Sequence, residues 1–426
     1  MARRYFGTDG VRGIVGQDLT EELVTRLGRA FALWSGGAPV LIGRDTRASG
    51  PSLEVALSDG LASGGSDVTW GGILPTPAVA LLAQGCGAVI SASHNPPEYN
   101  GVKFFDADGF KLTDAAEVEV ESLLDAQPAA DDVEARWPEP EEGLADAYVG
   151  LVADRFGGPL DGLRIVVDCA NGAMSDVAPS ALERLGAIVT PLANEPDGMN
   201  INVACGATDL SFVSRTVAQG DFDLGVAFDG DGDRMLAVNA TGRVVDGDEI
   251  LAVLALHLQV ELVVVTTMTN LGFHRLMEER GVRVLTTDVG DRYVLDALRR
   301  EGGVLGGEQS GHLVYLEGHT TGDGFAAALL LARAVVETER PLAELTAGMP
   351  RFPQATANVT VRSKAIPKTL TEEFERLNSE LGVTGRVIVR PSGTEPVVRI
   401  LVEAESAEMA QTLCARITAL VEGELG

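Results

Sequence analysis

Short apolar runs rich in β-branched residues alternate along this chain with stretches of helical composition, an alternation that points to α/β architecture. Pro39-Val-Leu-Ile-Gly, Asp67-Val-Thr-Trp and Ala88-Val-Ile read as strands, and helices are expected over 52–62 and 115–124. The stretch 126–143, rich in Ala, Asp, Glu and Pro, reads as a solvated connection. A helix over 146–156 and the strand Arg164-Ile-Val-Val-Asp168 open a second unit, and Glu261-Leu-Val-Val-Val-Thr belongs to a third. A smaller α+β unit follows from Ala355-Thr-Ala-Asn-Val-Thr-Val-Arg362 and ends in a helix over 407–422. With 426 residues the chain exceeds what one core holds. The expected fold is three successive α/β domains with mixed sheets, 1–145, 146–247 and 248–352, plus a C-terminal α+β domain, 353–426. No short-period repeat is visible, but the three α/β units are similar in size, as distant structural copies would be.

Within the second unit an apolar strand, Leu224-Gly-Val-Ala-Phe228, delivers Asp229-Gly-Asp231-Gly-Asp233-Arg234. Single glycines permit the positive φ of a tight loop, and alternation can aim all three carboxylates at one point. Three carboxylates without His or Cys form a hard oxygen site, suited to Mg²⁺. A calcium loop is the plain alternative, but its closing glutamate is missing.

Ser93, in Ser91-Ala-Ser93-His94-Asn95-Pro96, follows the apolar Ala88-Val-Ile and is expected where a buried strand breaks into an exposed turn. His94 is not thereby its base, because neighbours on an extended chain point to opposite faces. A phosphate on Ser93 could complete the metal's shell, which suggests phosphoryl transfer. The competing assignment makes Asp229 the nucleophile through an aspartyl-phosphate.

Two further segments offer binding chemistry. Gly306-Gly307-Glu308-Gln309-Ser310-Gly311-His312 places a carboxylate and a hydroxyl at alternate positions, which suits a diol or amino alcohol of a sugar. Arg390-Pro391-Ser392-Gly393-Thr394-Glu395-Pro396-Val397-Val398-Arg399 lies between two strand-like runs and reads as an anion-binding turn with an arginine on each side. A surface turn and an ordinary hairpin are the respective alternatives.

At these four segments, in this order, the chain resembles the α-D-phosphohexomutase superfamily, which moves phosphate between the 1- and 6-positions of hexoses. Within it the greatest likeness is to the bacterial phosphoglucosamine mutase family, through Tyr5-Phe-Gly-Thr-Asp-Gly-Val-Arg12-Gly, Gly43-Arg-Asp-Thr-Arg47, Pro196-Asp-Gly-Met-Asn-Ile-Asn202 and Gly307-Glu-Gln-Ser-Gly-His312. Gln309 is the discriminating residue. The resemblance implies that Ser93 carries an exchangeable phosphate beside Mg²⁺ held by Asp229, Asp231 and Asp233. It implies that Glu308 and Ser310 grip the sugar, and that Arg390, Ser392, Gly393, Thr394 and Arg399 hold the non-reacting phosphate. Arg12, Lys103 and Arg234 would line the reacting one. A hexosamine phosphate is the implied substrate and a hexose 1,6-bisphosphate the phosphorylating activator. Lys103 and His312 are the candidates for the base that takes the hydroxyl proton. Four motifs on four units imply a shared central cleft.

A formal charge of −29 disfavours nucleic acid and anionic membranes as partners. An anionic substrate then needs local cations, which Arg12, Arg44, Arg47, Lys103, Arg234, Arg390 and Arg399 could supply if they converge. The longest apolar run, 325–332, is too short to span a bilayer, and no signal-like stretch follows Arg3-Arg4, so the cytoplasm is the expected compartment. Four cysteines show no metal-ligand spacing, and the oligomeric state is left between monomer and homodimer. A glucose or mannose phosphate mutase is the alternative enzyme. A sugar-phosphate sensor is the alternative without catalysis, but it would need neither Ser93 nor the aspartates.

Overall fold

The computed structural model of the chain describes residues 4–7, 9–126, 139–392 and 396–426. Of the expected connection over 126–143, residues 127–138 lie outside the described residues, and those flanking them are exposed. The first sheet is formed by β1 (Val11–Ile14), β2 (Val40–Arg44), β3 (Val68–Ile73), β4 (Cys86–Ile90) and β5 (Tyr99–Phe105), in the order β1-β5-β4-β2-β3. The second contains β6 (Arg164–Asp168), β7 (Ile188–Leu192), β8 (Leu224–Phe228), β9 (Met235–Asn239) and β10 (Val244–Val245), ordered β10-β9-β8-β6-β7. The third has β11 (Leu262–Thr266), β12 (Arg283–Thr287), β13 (Leu305–Gly307) and β14 (Leu313–Tyr315), ordered β12-β11-β13-β14. The chain ends in an antiparallel sheet of β15 (Gln354–Thr360), β16 (Gly385–Pro391) and β17 (Val397–Ala404), ordered β15-β17-β16.

One pattern recurs in the first three sheets. A leading strand pairs in parallel with the two that follow it, and the third turns back antiparallel into a fourth: β3-β2-β4-β5, β7-β6-β8-β9 and β12-β11-β13-β14. The mixed sheets and the likeness of the three units both appear in this topology. Strands β4, β8 and β11 are buried at every residue, as strands covered by helices on both faces must be.

The apolar run 325–332 lies in the helix Gly324–Thr338, which is buried around nearly its whole circumference. Asp323 caps this helix, accepting from the N–H groups of Phe325 and Ala326 while Tyr148 Oη donates to the same carboxylate at 2.9 Å. The run therefore fills a core. Among the described residues no helix is long and apolar enough to cross a membrane. One continuous apolar cluster joins the second and third sheets and takes in Leu41, Val89 and Phe105 of the first. The expected division after residue 145 falls inside the helix Leu144–Phe156, whose buried Tyr148, Val152 and Phe156 belong to that cluster.

The C-terminal unit has its own core, from Val359 to Leu425. Its join to the rest is largely polar. Leu271 N donates to Glu403 Oε1 at 3.3 Å, Gln309 Nε2 to Gln354 Oε1 at 3.2 Å, and Arg386 to the carbonyl of Thr269. A join made of such bonds slides at less cost than an apolar core would.

Candidate active site

The loop between β4 and β5 carries Ser93. Its side chain is completely buried, not exposed as the turn-forming residues suggested, because the aspartate loop of the second unit packs directly on it. Ser93 Oγ donates to Asp229 Oδ2 at 2.5 Å. A Cβ on Gly230 would lie 2.6 Å from the Ser93 carbonyl oxygen, so this close approach requires glycine.

Ser93 also has φ of 52°, in the left-handed region, at a cost of roughly 1–2 kcal/mol for a residue with a Cβ. That conformation overturns the inference that Ser93 and His94 point apart, which holds only for an extended chain. His94 Nδ1 lies 3.3 Å from Ser93 Oγ. Burial, with Arg234 and Arg12 nearby, lowers the His94 pKa to about 4, so the ring is neutral near pH 7 and can exchange a proton with the serine.

One carboxylate oxygen from each of Asp229, Asp231 and Asp233 lies within 4.8 Å of the others, at buried positions. The loop joins the antiparallel strands β8 and β9, not two helices, which argues against a calcium loop. Asp231 Oδ2 accepts from Thr76 Oγ1 at 2.6 Å and from Lys103 Nζ at 2.7 Å. Asp231 Oδ1 is buried and accepts no hydrogen bond, and neither does Asp233 Oδ1, which faces His312 Nδ1 at 3.6 Å and Arg234 Nε at 3.8 Å. Burial first, then repulsion from Asp233 and Asp231, holds the Asp229 carboxyl well above the usual range. Unsatisfied oxygens and mutual repulsion at one point are what a hard divalent cation would relieve, so these residues fit a metal.

Around this centre the charges interlock. Lys103 Nζ, on β5, reaches Asp231 at 2.7 Å, Asp9 at 2.9 Å and Asp233 at 3.3 Å. Burial opposes its charge, but Asp231, Asp9 and Asp233 outweigh that and hold its pKa well above the ordinary value. His312 is likewise raised, with burial outweighed by Asp233 and Asp291. As arranged, Lys103 holds a proton that it can donate, and the surroundings of His312 favour its protonated form. Arg12 pairs with the Asp9 carboxylate, and Lys111 Nζ binds Asp9 at 2.7 Å and pairs with Asp291.

A cavity of about 230 Å³ opens beside this cluster. It is lined by Arg234, Glu308, His312, Arg390, Ser392 and Arg399 among the residues expected from the sequence, and by Asp9, Lys111 and Asp291, which were not anticipated as site residues. Glu308 Oε1 accepts from Gly290 N at 3.0 Å, and Ser310 Oγ donates to Glu308 Oε2 at 3.4 Å. Arg390 and Arg399 face each other as register partners on β16 and β17. Burial and then Arg399 lower the Arg390 pKa, and Arg390 Nε is buried without a hydrogen-bond partner. Like charges opposed across a ladder are unfavourable unless an anion lies between them. Gly393 and Thr394 lie outside the described residues.

Other sequence expectations resolve differently. Arg44 pairs with Glu54 at 2.9 Å and Arg47 is completely buried, so neither joins the cations of the cavity. Gln309 turns away from it, donating to Gln354 Oε1 at 3.2 Å and Asp246 Oδ2 at 3.4 Å. Any effect of Gln309 on sugar choice is thus exerted through the seating of its loop on β15. The signals for Asp9 and Lys111 were present: Asp9 stands in the Gly-Thr-Asp-Gly run, and Lys111 follows Lys103 on the same ribbon. Nothing in the local sequence marks Asp291.

Family models for phosphoglucomutase/phosphomannomutase match the whole chain in sequence: α/β/α domain I at 3–131, domain II at 131–242, domain III at 246–352 and the C-terminal domain at 335–420. A phosphoglucosamine mutase of Pelotomaculum thermopropionicum is 46% identical over 442 residues, covering 98% of each chain. The crystal structure of a putative phosphomannomutase from Thermus thermophilus superposes with a TM-score of 0.80 at 27% identity, covering 99% of both chains. The N-acetylphosphoglucosamine mutase of Aspergillus fumigatus, solved with GlcNAc-6P and magnesium, shares the fold with a TM-score of 0.70 at 18% identity, covering 99% of this chain and 96% of its own. With all four domain models matched in order and near-half identity along its full length, the chain belongs to the phosphoglucosamine mutase family of the phosphohexomutases.

Proposed function

We propose that this chain is an isomerase interconverting glucosamine 6-phosphate and glucosamine 1-phosphate through a phosphoserine at Ser93 and a hexosamine 1,6-bisphosphate. The observation that carries the reading is the 2.5 Å contact between a buried serine hydroxyl and one of three converging carboxylates, beside a cavity lined by paired arginines. In the first half-reaction the P–O bond to Ser93 Oγ breaks as a bond forms from phosphorus to the free sugar hydroxyl oxygen, and the proton that this hydroxyl loses ends on Ser93 Oγ. The bisphosphate then turns around, and its other phosphate returns to Ser93. Asp229, Asp231 and Asp233 would hold Mg²⁺, which supplies positive charge at the transferring group. A phosphate oxygen on Ser93 would join them.

Arg390, Ser392 and Arg399 would hold the phosphate that is not reacting, and Arg12, Lys103 and Arg234 the one that is. His94 stands where it can return a proton to Ser93. Lys103, protonated as arranged, and His312, whose protonated form is favoured, would serve as donors to phosphate oxygens or the leaving group. A hexose 1,6-bisphosphate would phosphorylate Ser93 at the outset. Four free, buried cysteines fit a reducing compartment such as the cytoplasm, where amino-sugar phosphates feed nucleotide-sugar and cell-wall precursor synthesis.

Turnover on the 6-phosphates of glucosamine, glucose and mannose tests the substrate. Glu308 lines the cavity, and an ammonium at the 2-position would gain from it a charge-assisted bond that a hydroxyl cannot match. Such a bond contributes roughly 1.5–3 kcal/mol, so kcat/KM for glucosamine 6-phosphate is expected about tenfold to a hundredfold above that for glucose 6-phosphate. Glu308→Gln is expected to shrink this ratio more than it lowers activity on glucose 6-phosphate. Equal losses on both sugars would mean that Glu308 holds a hydroxyl common to them.

A further inference from the structure

We infer that Arg47 and Asn202 are positioning residues for the nucleophile, fixing the Ser93 peptide in the one conformation that aims its hydroxyl at the aspartates. The inference rests on the reading of Ser93 as phosphoryl carrier. Serine has no intrinsic preference for a left-handed backbone, so neighbours must hold it there. The Ser93 carbonyl accepts from Arg47 Nη2 at 3.0 Å and from Asn202 Nδ2 at 2.9 Å. The Ser93 N–H donates to Ser91 Oγ at 2.8 Å, and Ser91 Oγ donates to Asp45 Oδ2 at 2.7 Å. That same Asp45 oxygen accepts from Arg47 Nε at 2.8 Å. Both ends of the Ser93 residue are thereby tied into one closed ring of hydrogen bonds.

The two donors act together a second time. The carbonyl of Asn95 accepts from Arg47 Nη2 at 2.8 Å and from Asn202 Nδ2 at 3.1 Å. Arg47 comes from the first unit and Asn202 from the second, so the nucleophile loop is gripped from both sides of the boundary it must bridge. The aspartate loop packs on the same atoms: a Cβ on Gly230 would stand 2.6 Å from the Ser93 carbonyl oxygen and 2.9 Å from Asn202 Nδ2. Asn202 therefore sets the register between serine and carboxylates. Neither residue lines the substrate cavity, so their contribution falls on phosphoryl transfer and not on sugar binding.

Asn202→Asp is the deciding variant, because it keeps the shape and the tolerance for the left-handed backbone at this position (φ 59°) while removing both N–H donors. Ser93 phosphorylation by glucose 1,6-bisphosphate is followed by intact mass in single turnover, alongside kcat and KM for glucosamine 6-phosphate and the Tm. The expected result is a roughly tenfold to hundredfold fall in phosphorylation rate and kcat, the scale of a misplaced reacting atom, with KM little changed and Tm lowered only by the loss of the two bonds. Asn202→Asp is expected to be at least as impaired as Asn202→Ala, the opposite of what a space-filling role would give. Arg47→Lys, if it folds, is expected to show the same split. Wild-type rates in Asn202→Asp, a compensating rise in KM alone, or a fall in Tm without a fall in kcat would each overturn the inference. Absence of phosphate on Ser93 in the wild-type protein would instead remove the reading on which it stands.

Discussion

Ser93→Ala is expected to lower turnover by roughly a thousandfold or more, because it removes the atom that carries the phosphoryl group. The buried Ser93 hydroxyl makes hydrogen bonds to Asp229 and His94, so its loss costs about 1–3 kcal/mol of stability and the variant should fold. Substrate affinity should survive, since the cavity is lined by other residues. Peptide mapping of the wild-type protein after exposure to glucose 1,6-bisphosphate should find one acid-stable phosphate on the Ser93 peptide. An acid-labile phosphate on the Asp229 peptide, with Ser93→Ala still turning over, would make Asp229 the nucleophile. The 2.5 Å contact between them keeps that comparison sharp, because both groups occupy the same place.

Asp231→Asn is expected to cost about a hundredfold in turnover, the scale of a few kcal/mol of lost charge stabilisation at a phosphoryl group. The amide oxygen can keep both Thr76 and Lys103, which share Asp231 Oδ2, but its NH₂ then replaces the unpartnered Oδ1 and leaves a metal with a neutral ligand. Raising Mg²⁺ should restore activity only in part, with the half-saturating concentration shifted upward. Full activity of the wild-type protein in chelator would contradict a metal role for all three aspartates.

Much of this was legible in the sequence, for a local reason. The strand Leu224–Phe228 has the bounds that its apolar run suggests, because a strand buried on both faces has no polar residue to blur its ends. The three aspartates converge because one short loop carries them all. What escaped depends on contacts made at distance. Lys103 and Asp231 meet across 128 positions, and Ser93 loses its exposure only when the second unit docks on the first. Arg47 stood among the cations that could draw in an anionic substrate, yet its guanidinium donates to four backbone carbonyls between Ser93 and Tyr99. Asp291 enters the cavity from a helix start whose sequence is unexceptional.

The repeated strand order places each working loop at one address. Ser93 follows β4, the aspartates follow β8 and Glu308 follows β13, in each case the third strand in chain order of the repeated pattern. An ancestral unit copied twice would have inherited three identical slots, free to acquire separate duties without rebuilding any sheet. Sugar choice, cation choice and the identity of the group transferred can then be edited one slot at a time. Grafting the loop between β13 and β14 from a relative with another hexose preference would change what enters the cavity and leave the serine and its aspartates as they are.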